Sequence, residues 1–128
     1  MMVVIYGLKP QLEQIKKPLA NIVQRCLVFA LGLPTTQLSQ RFVGLDSGDI
    51  ILADRSAQDY LQIEVNLMQG HLPEAKKLLI RMLFDEMNKQ LGLLPHEIDI
   101  LIKEQPTHCW GLRGMSGDDI HFAYNIDS

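Results

Sequence analysis

Cysteine is scarce in this chain, and basic runs, strips of exposed aromatics and long apolar stretches are missing. The two cysteines, Cys26 and Cys109, have no C-x-x-C spacing and sit in no cysteine-dense framework, so both read as thiols. Twelve basic against fifteen acidic residues leave a net charge of −3, and without a basic cluster nucleic acid is disfavoured as a partner. The opening MMVVIYGLKP lacks a basic flank and turns polar after Leu8, which excludes a signal peptide or a membrane span there; a cytoplasmic location is expected. His108 and Cys109 are adjacent and so project in different directions, and neither His96 nor His121 has a ligand spacing to them. Neither a metal nor a cofactor is expected.

What is present is ordinary globular material. The 128 residues suit one domain spanning 1–128, long enough to bury roughly 65–70% of the surface of the unfolded chain. The stretch from Tyr60 to Gly114 organises it. Leu61, Ile63, Val65 and Leu67 alternate with Gln62, Glu64 and Asn66, as in a strand with one buried face. Pro73 suits a first helical position, and Leu72, Ala75, Leu79, Met82, Leu83 and Met87 form a helical stripe, widened by Leu78, Ile80 and Phe84, up to Leu91-Gly92. The breadth of that stripe predicts burial on more than one side. A second strand is expected from Glu97 to Lys103, and the tail from His121 to Ile126 alternates like a short edge strand.

The first half reads similarly. Met2 to Tyr6 is a β-branched run expected to be a strand buried on both faces, bounded by Gly7. Leu12, Ile15, Leu19, Ile22, Val23, Cys26, Leu27 and Ala30 keep helical spacing to a Gly32 cap. Pro18 inside that run implies a helix beginning near Lys16, or one kinked at the proline. Leu38 to Leu45 is a strand candidate, Asp46 to Asp49 a turn, and Ile50 to Leu52 a segment that either pairs briefly or simply packs.

Shifting the sequence by sixty positions lays Leu12 on Leu72, Lys16-Lys17 on Lys76-Lys77, Leu19 on Leu79 and Leu31-Gly32-Leu33 on Leu91-Gly92-Leu93. The chain is therefore an α+β protein of two fused β-α-β repeats, about 1–59 and 60–128. Right-handed crossovers make each strand pair parallel, giving a four-stranded mixed sheet with two helices on one face. The other sheet face then needs a cover, and further copies of the chain are the simplest one.

With the repeat, the strand IEVNLMQG, the Lys-Lys helix, LGLLPHEIDILIKE and the following Trp-Gly, the chain resembles the tautomerase superfamily, with a 4-oxalocrotonate tautomerase-like fold. It is most similar in layout to the longer-chain group that includes malonate semialdehyde decarboxylase. The resemblance implies a homotrimer and pockets near the chain N-termini. It also implies an N-terminal proline acting as general base or acid toward small 2-oxo or enol acids, with arginines holding the carboxylate. Here position 2 is Met2, a bulky residue expected to keep Met1 in place, so the chain begins with a primary amine. Gln69 and His71 stand where two arginines are common, whereas Arg41-Phe42 and Arg55-Ser56 keep the family pattern.

The candidate catalytic groups are thus Met1, through its amine, and His71, which precedes a helix N-terminus suited to anions. Arg41, Arg55 and Arg113 supply the forks that a small carboxylate or 2-oxo acid requires, and Trp110 walls the pocket. The activity implied is keto-enol tautomerisation, with decarboxylation second. The alternative is a catalytically silent homologue that binds a small anion or serves as a homo-oligomeric module.

Overall fold

The computed structural model describes residues 1–120, so the strand expected at 121–126 lies outside the described residues. Two β-α-β units stand in series. The first is β1 (Met2–Leu8), α1 (Lys9–Leu31) and β2 (Ser39–Leu45); the second is β3 (Leu61–Met68), α2 (Pro73–Leu91) and β4 (Ile98–Gln105). They build one sheet in the order β2-β1-β3-β4, parallel within each unit and antiparallel across the central β1-β3 seam. In each unit the partner residue lies 37 positions on, Met2 against Ser39 and Leu61 against Ile98. A shared register is what a duplicated unit requires.

The alternation along the strands sets the layers. Val3, Ile5, Leu61, Ile63, Val65 and Leu67 are buried under the two helices, which pack against each other across one face of the sheet through residues such as Leu19, Val23, Leu79 and Leu83. The opposite face carries Met2, Val4 and Tyr6 of β1, which are exposed or half-buried. Burial of β1 on both faces is therefore not found within one chain, because both crossover helices pack on the same side. The wide stripe of α2 narrows likewise. Leu79, Leu83 and Met87 are its buried residues, while Leu78, Ile80, Met82 and Phe84 are half-buried at its flanks.

Helix α1 begins at Lys9, earlier than the Lys16 alternative, with Pro10 in its first turn, and it continues through Pro18. Pro18 and Gln14, whose carbonyl loses its helical donor at that point, both lie on the exposed side, where water can take over the acceptor. Both helices end on a left-handed glycine. Gly32 (φ 67°) donates to the Val28 carbonyl at 3.0 Å, and Gly92 (φ 68°) to the Asn88 carbonyl at 3.0 Å. Ile50 to Leu52 forms no strand, and Ile51 is 90% exposed.

After β4 the chain makes a 3₁₀ turn at Thr107–Cys109 and a small hairpin of β5 (Gly111–Leu112) and β6 (Met115–Ser116). Its two-residue turn has positive φ at both positions, 54° at Arg113 and 78° at Gly114, the conformation that matches hairpin twist. Gly117 closes the segment. Its N–H donates to the Trp110 carbonyl at 2.7 Å, and an added Cβ would collide with the Thr107 carbonyl and come within 3.1 Å of the Trp110 Cβ.

Replacing Gly117 with alanine should therefore cost about 1–3 kcal/mol, read as a lowered denaturant midpoint at unchanged slope. Gly48→Ala, where an added Cβ meets nothing within 4 Å, should stay within about 0.5 kcal/mol of the parent. Equal midpoints for the two variants would contradict the packing described here.

Candidate functional site

The start of the chain is held as an extension of the parallel β1-β2 ladder. The Met1 amine donates to the Gln37 carbonyl at 3.0 Å. The Met1 carbonyl accepts from the Ser39 amide at 3.1 Å and from the Ser39 hydroxyl at 3.4 Å. The Met1 residue as a whole is 5% exposed. Arg41, two residues along β2, donates through Nη1 to the Ser39 hydroxyl at 3.1 Å, which keeps its guanidinium at the same end of the sheet.

The β5-β6 hairpin folds over this end. Together they form a cavity of about 500 Å³, open on one side and lined by Met1, Gln37, Ser39, Arg41, Trp110 and Arg113 among others. Met1, Arg41 and Arg113 all contribute to its lining, and no Asp, Glu, His or Lys among the described residues does. Burial, and secondarily the charge of Arg41, hold the Met1 amine below its ordinary pKa of 8.0. Both causes act against the charged form: an ammonium here loses water, and it faces another cation. Trp110 is 8% exposed and forms one wall. The cavity thus combines arginines in its lining with an amine of lowered basicity.

Four of the sequence candidates thus come together in this cavity: Met1, Arg41, Trp110 and Arg113. The other two stand apart from it. His71 is buried at 5% exposure just ahead of α2 and does not line the cavity. Arg55 lies in a second cleft of about 240 Å³ with Ser56, Gln58, Asp59, Tyr60, His96 and Glu97. There it donates to the His96 carbonyl at 2.8 Å, pairs with Asp54 at 3.2 Å and lies 6.0 Å from the centre of the Tyr60 ring. Burial and a 2.6 Å hydrogen bond to Asp99 push the Tyr60 hydroxyl up to about 12.

Sequence reasoning passed over Gln37 and Ser39, which position the amine, and the hairpin that closes the cavity. The hairpin's sequence signal is Arg113-Gly114 between two short runs, weak because neither Asn nor Asp occupies the first turn position. Cys109 lines the cavity edge and is exposed, while Cys26 is buried between the helices, where burial pushes its thiol up to about 11. Among the described residues no cluster of metal-ligating side chains occurs, and no helix is long and apolar enough to cross a membrane.

A family model described as tautomerase enzyme matches residues 37–113. Among solved structures, native fused 4-OT is 21% identical with a TM-score of 0.84, over 94% of this chain and 98% of that one. A fused 4-OT described as a wild-type asymmetric trimer is 21% identical with a TM-score of 0.83, over 93% and 98%. FG41 malonate semialdehyde decarboxylase inhibited by 3-bromopropiolate is 21% identical with a TM-score of 0.77, over 92% and 93%. At these identities the likeness to solved structures shows the fold.

Removing the cation beside the amine should raise its pKa toward 8.0 without restoring it, because burial is the larger cause. The check is the pH dependence of amine-selective labelling at the N-terminus in the parent and in Arg41→Ala. An unshifted profile in the variant would show that Arg41 does not act on the amine.

Proposed function

We propose, from the premise that this chain belongs to the tautomerase family, that the cavity at the head of β1 moves a proton on a small 2-oxo or enol acid. One observation carries the reading: an amine with a depressed pKa lies in a cavity lined by two arginines and by no competing acid-base side chain of Asp, Glu, His or Lys type among the described residues. The neutral amine takes a proton from the enol hydroxyl or the carbon next to the carbonyl. Arg41 and Arg113 hold the carboxylate through charge-assisted hydrogen bonds, and Trp110 limits the size of the rest of the molecule. Loss of carbon dioxide from a 3-oxo acid, held by the same arginines, is the second activity this arrangement suits.

His71 and Arg55 keep a place in this reading only through a second copy of the chain that brings them to the cavity. Self-association is part of the proposal. The sheet face away from the helices carries Met2, Val43 and Leu101 at 37%, 36% and 47% exposure, and a fused 4-OT with this fold is described as a trimer. We infer a homotrimer built on that face. A sedimentation profile showing a stable monomer at micromolar concentration would remove this part.

The activity test is ketonisation of phenylenolpyruvate or 2-hydroxymuconate by protein whose N-terminal residue has been verified by mass spectrometry. Turnover should disappear when the amine is blocked by acetylation. For Arg41→Ala and for Arg113→Asn, which keeps a residue tolerant of positive φ, kcat/KM should fall about ten- to a hundredfold. Binding of oxo acids without turnover, unaffected by acetylation, would identify the chain as the silent anion-binding homologue.

A further inference from the structure

The two helices bury one side on the sheet, and their outer side carries a second apolar surface. Arg25 and Phe29 stand one turn apart on α1, as Met82 and Glu86 do on α2. These four line a hollow of about 470 Å³ together with Cys26 and Val28, among others. Gln90 holds Arg25 and Glu86 level with each other: its Oε1 accepts from Arg25 Nη2 at 3.4 Å, and its Nε2 donates to Glu86 Oε2 at 2.7 Å. Because the two units meet across an antiparallel seam, α1 and α2 run in opposite directions. Four residues on along α1 is therefore the same step as four residues back along α2, which puts Phe29 level with Met82. Phe29 is 73% exposed and Val28 36%. Among the described residues neither Arg25 nor Glu86 forms an ion pair. One charge of each sign thus borders an exposed aromatic ring and a hollow.

We propose that this surface packs against the same surface of a second copy of the chain, about a two-fold axis running parallel to the helices between α1 and α2. Such an axis lays α1 of one copy over α2 of the other and leaves levels along the helices unchanged. Residues level within one chain then meet across the contact: Arg25 faces the partner's Glu86, and Phe29 faces the partner's Met82. By symmetry each pairing occurs twice. Opposite charges are matched, and a thioether meets an aromatic ring. A two-fold axis running across the helices sets Arg25 against the partner's Phe29 and Met82 against the partner's Glu86, so the pattern of residues selects the first axis. The hollow receives the partner's Phe29, an aromatic anchor of the kind that dominates such contacts. The contact is separate from the trimer inferred on the sheet face, which lies on the other side of the chain, and it does not depend on what the cavity at the head of β1 binds.

The test is a charge exchange read by sedimentation velocity at low ionic strength, where surface charges are least screened. The parent should contain at least twice as many chains per particle as Arg25→Glu or Glu86→Arg, because each single variant sets like charges against each other at both pairings. The dissociation constant of this contact should rise about tenfold or more in either one. An equimolar mixture of the two variants restores both opposite-charge pairings and should regain the parent's mass, which also reports that each variant is folded. Phe29→Ala, at an exposed position, should lower the mass as the single charge variants do. If the sheet-face trimer holds, the single variants sediment as trimers, and if it fails, as monomers, so the two contacts are read separately. A parent no heavier than its single variants, or a mixture that stays at the mass of its components, would overturn the proposal and leave the hollow to a small apolar ligand or a different protein.

Discussion

Parallel strands cannot be joined by a tight turn, and that constraint shapes everything else in this molecule. Bringing β2 beside β1 in the same direction takes the chain up the length of a helix and back, and the same journey recurs between β3 and β4 at the same 37-residue register. Each crossover must lie on the sheet, so both helices fall on one face and their apolar stripes meet over the central antiparallel seam. The core is the product of that geometry. So is the open face opposite, with its half-buried Val4 and Tyr6 and its exposed Leu101.

The same ladder creates the site. A parallel strand pair aligns the beginnings of its members, and the segment leading into β2 therefore runs beside the first residue of β1. The Gln37 carbonyl and the Ser39 amide and hydroxyl are spaced to meet the nitrogen and oxygen of Met1. Arg41 follows on the same strand face as Ser39, which accounts for its influence on the amine. The residues at the head of β1 are thus brought together largely by backbone alignment, with the hairpin after β4 adding Trp110 and Arg113 as a further wall of the cavity.

Most of the fold was legible in the sequence. The alternation from Leu61 to Leu67, the stripe of α2 and the Leu-Gly-Leu at both helix ends each carry a period or a cap that physics ties to one conformation, and the sixty-residue repeat joins them. Pro18 left the start of α1 open between Lys16 and an earlier residue, because the cost of a proline inside a helix depends on whether the carbonyl it frees reaches water. The site was legible in part. Met1, Arg41, Trp110 and Arg113 converge only after parallel register and a positive-φ turn at Arg113 are in place, and neither can be read from residue types alone. Arg55 and His71 are suggested both by their local setting and by the family pattern, yet within one chain they occupy different places, the one in a second cleft and the other buried ahead of α2.

The second cleft has a meaning of its own when the repeat is laid over it. A shift of sixty carries Thr36, Gln37 and Arg41 onto His96, Glu97 and Leu101, so the cleft around Tyr60 and His96 is the second unit's counterpart of the cavity at the chain start. At the equivalent strand start, however, the nitrogen belongs to a peptide bond, and its lone pair is delocalised into a carbonyl. Only the first of the two strand starts therefore presents an amine, and Leu101 stands at the position that corresponds to Arg41. The two clefts of one chain, alike in their place in the β-α-β unit, thus differ in whether the strand start carries a nitrogen that can titrate.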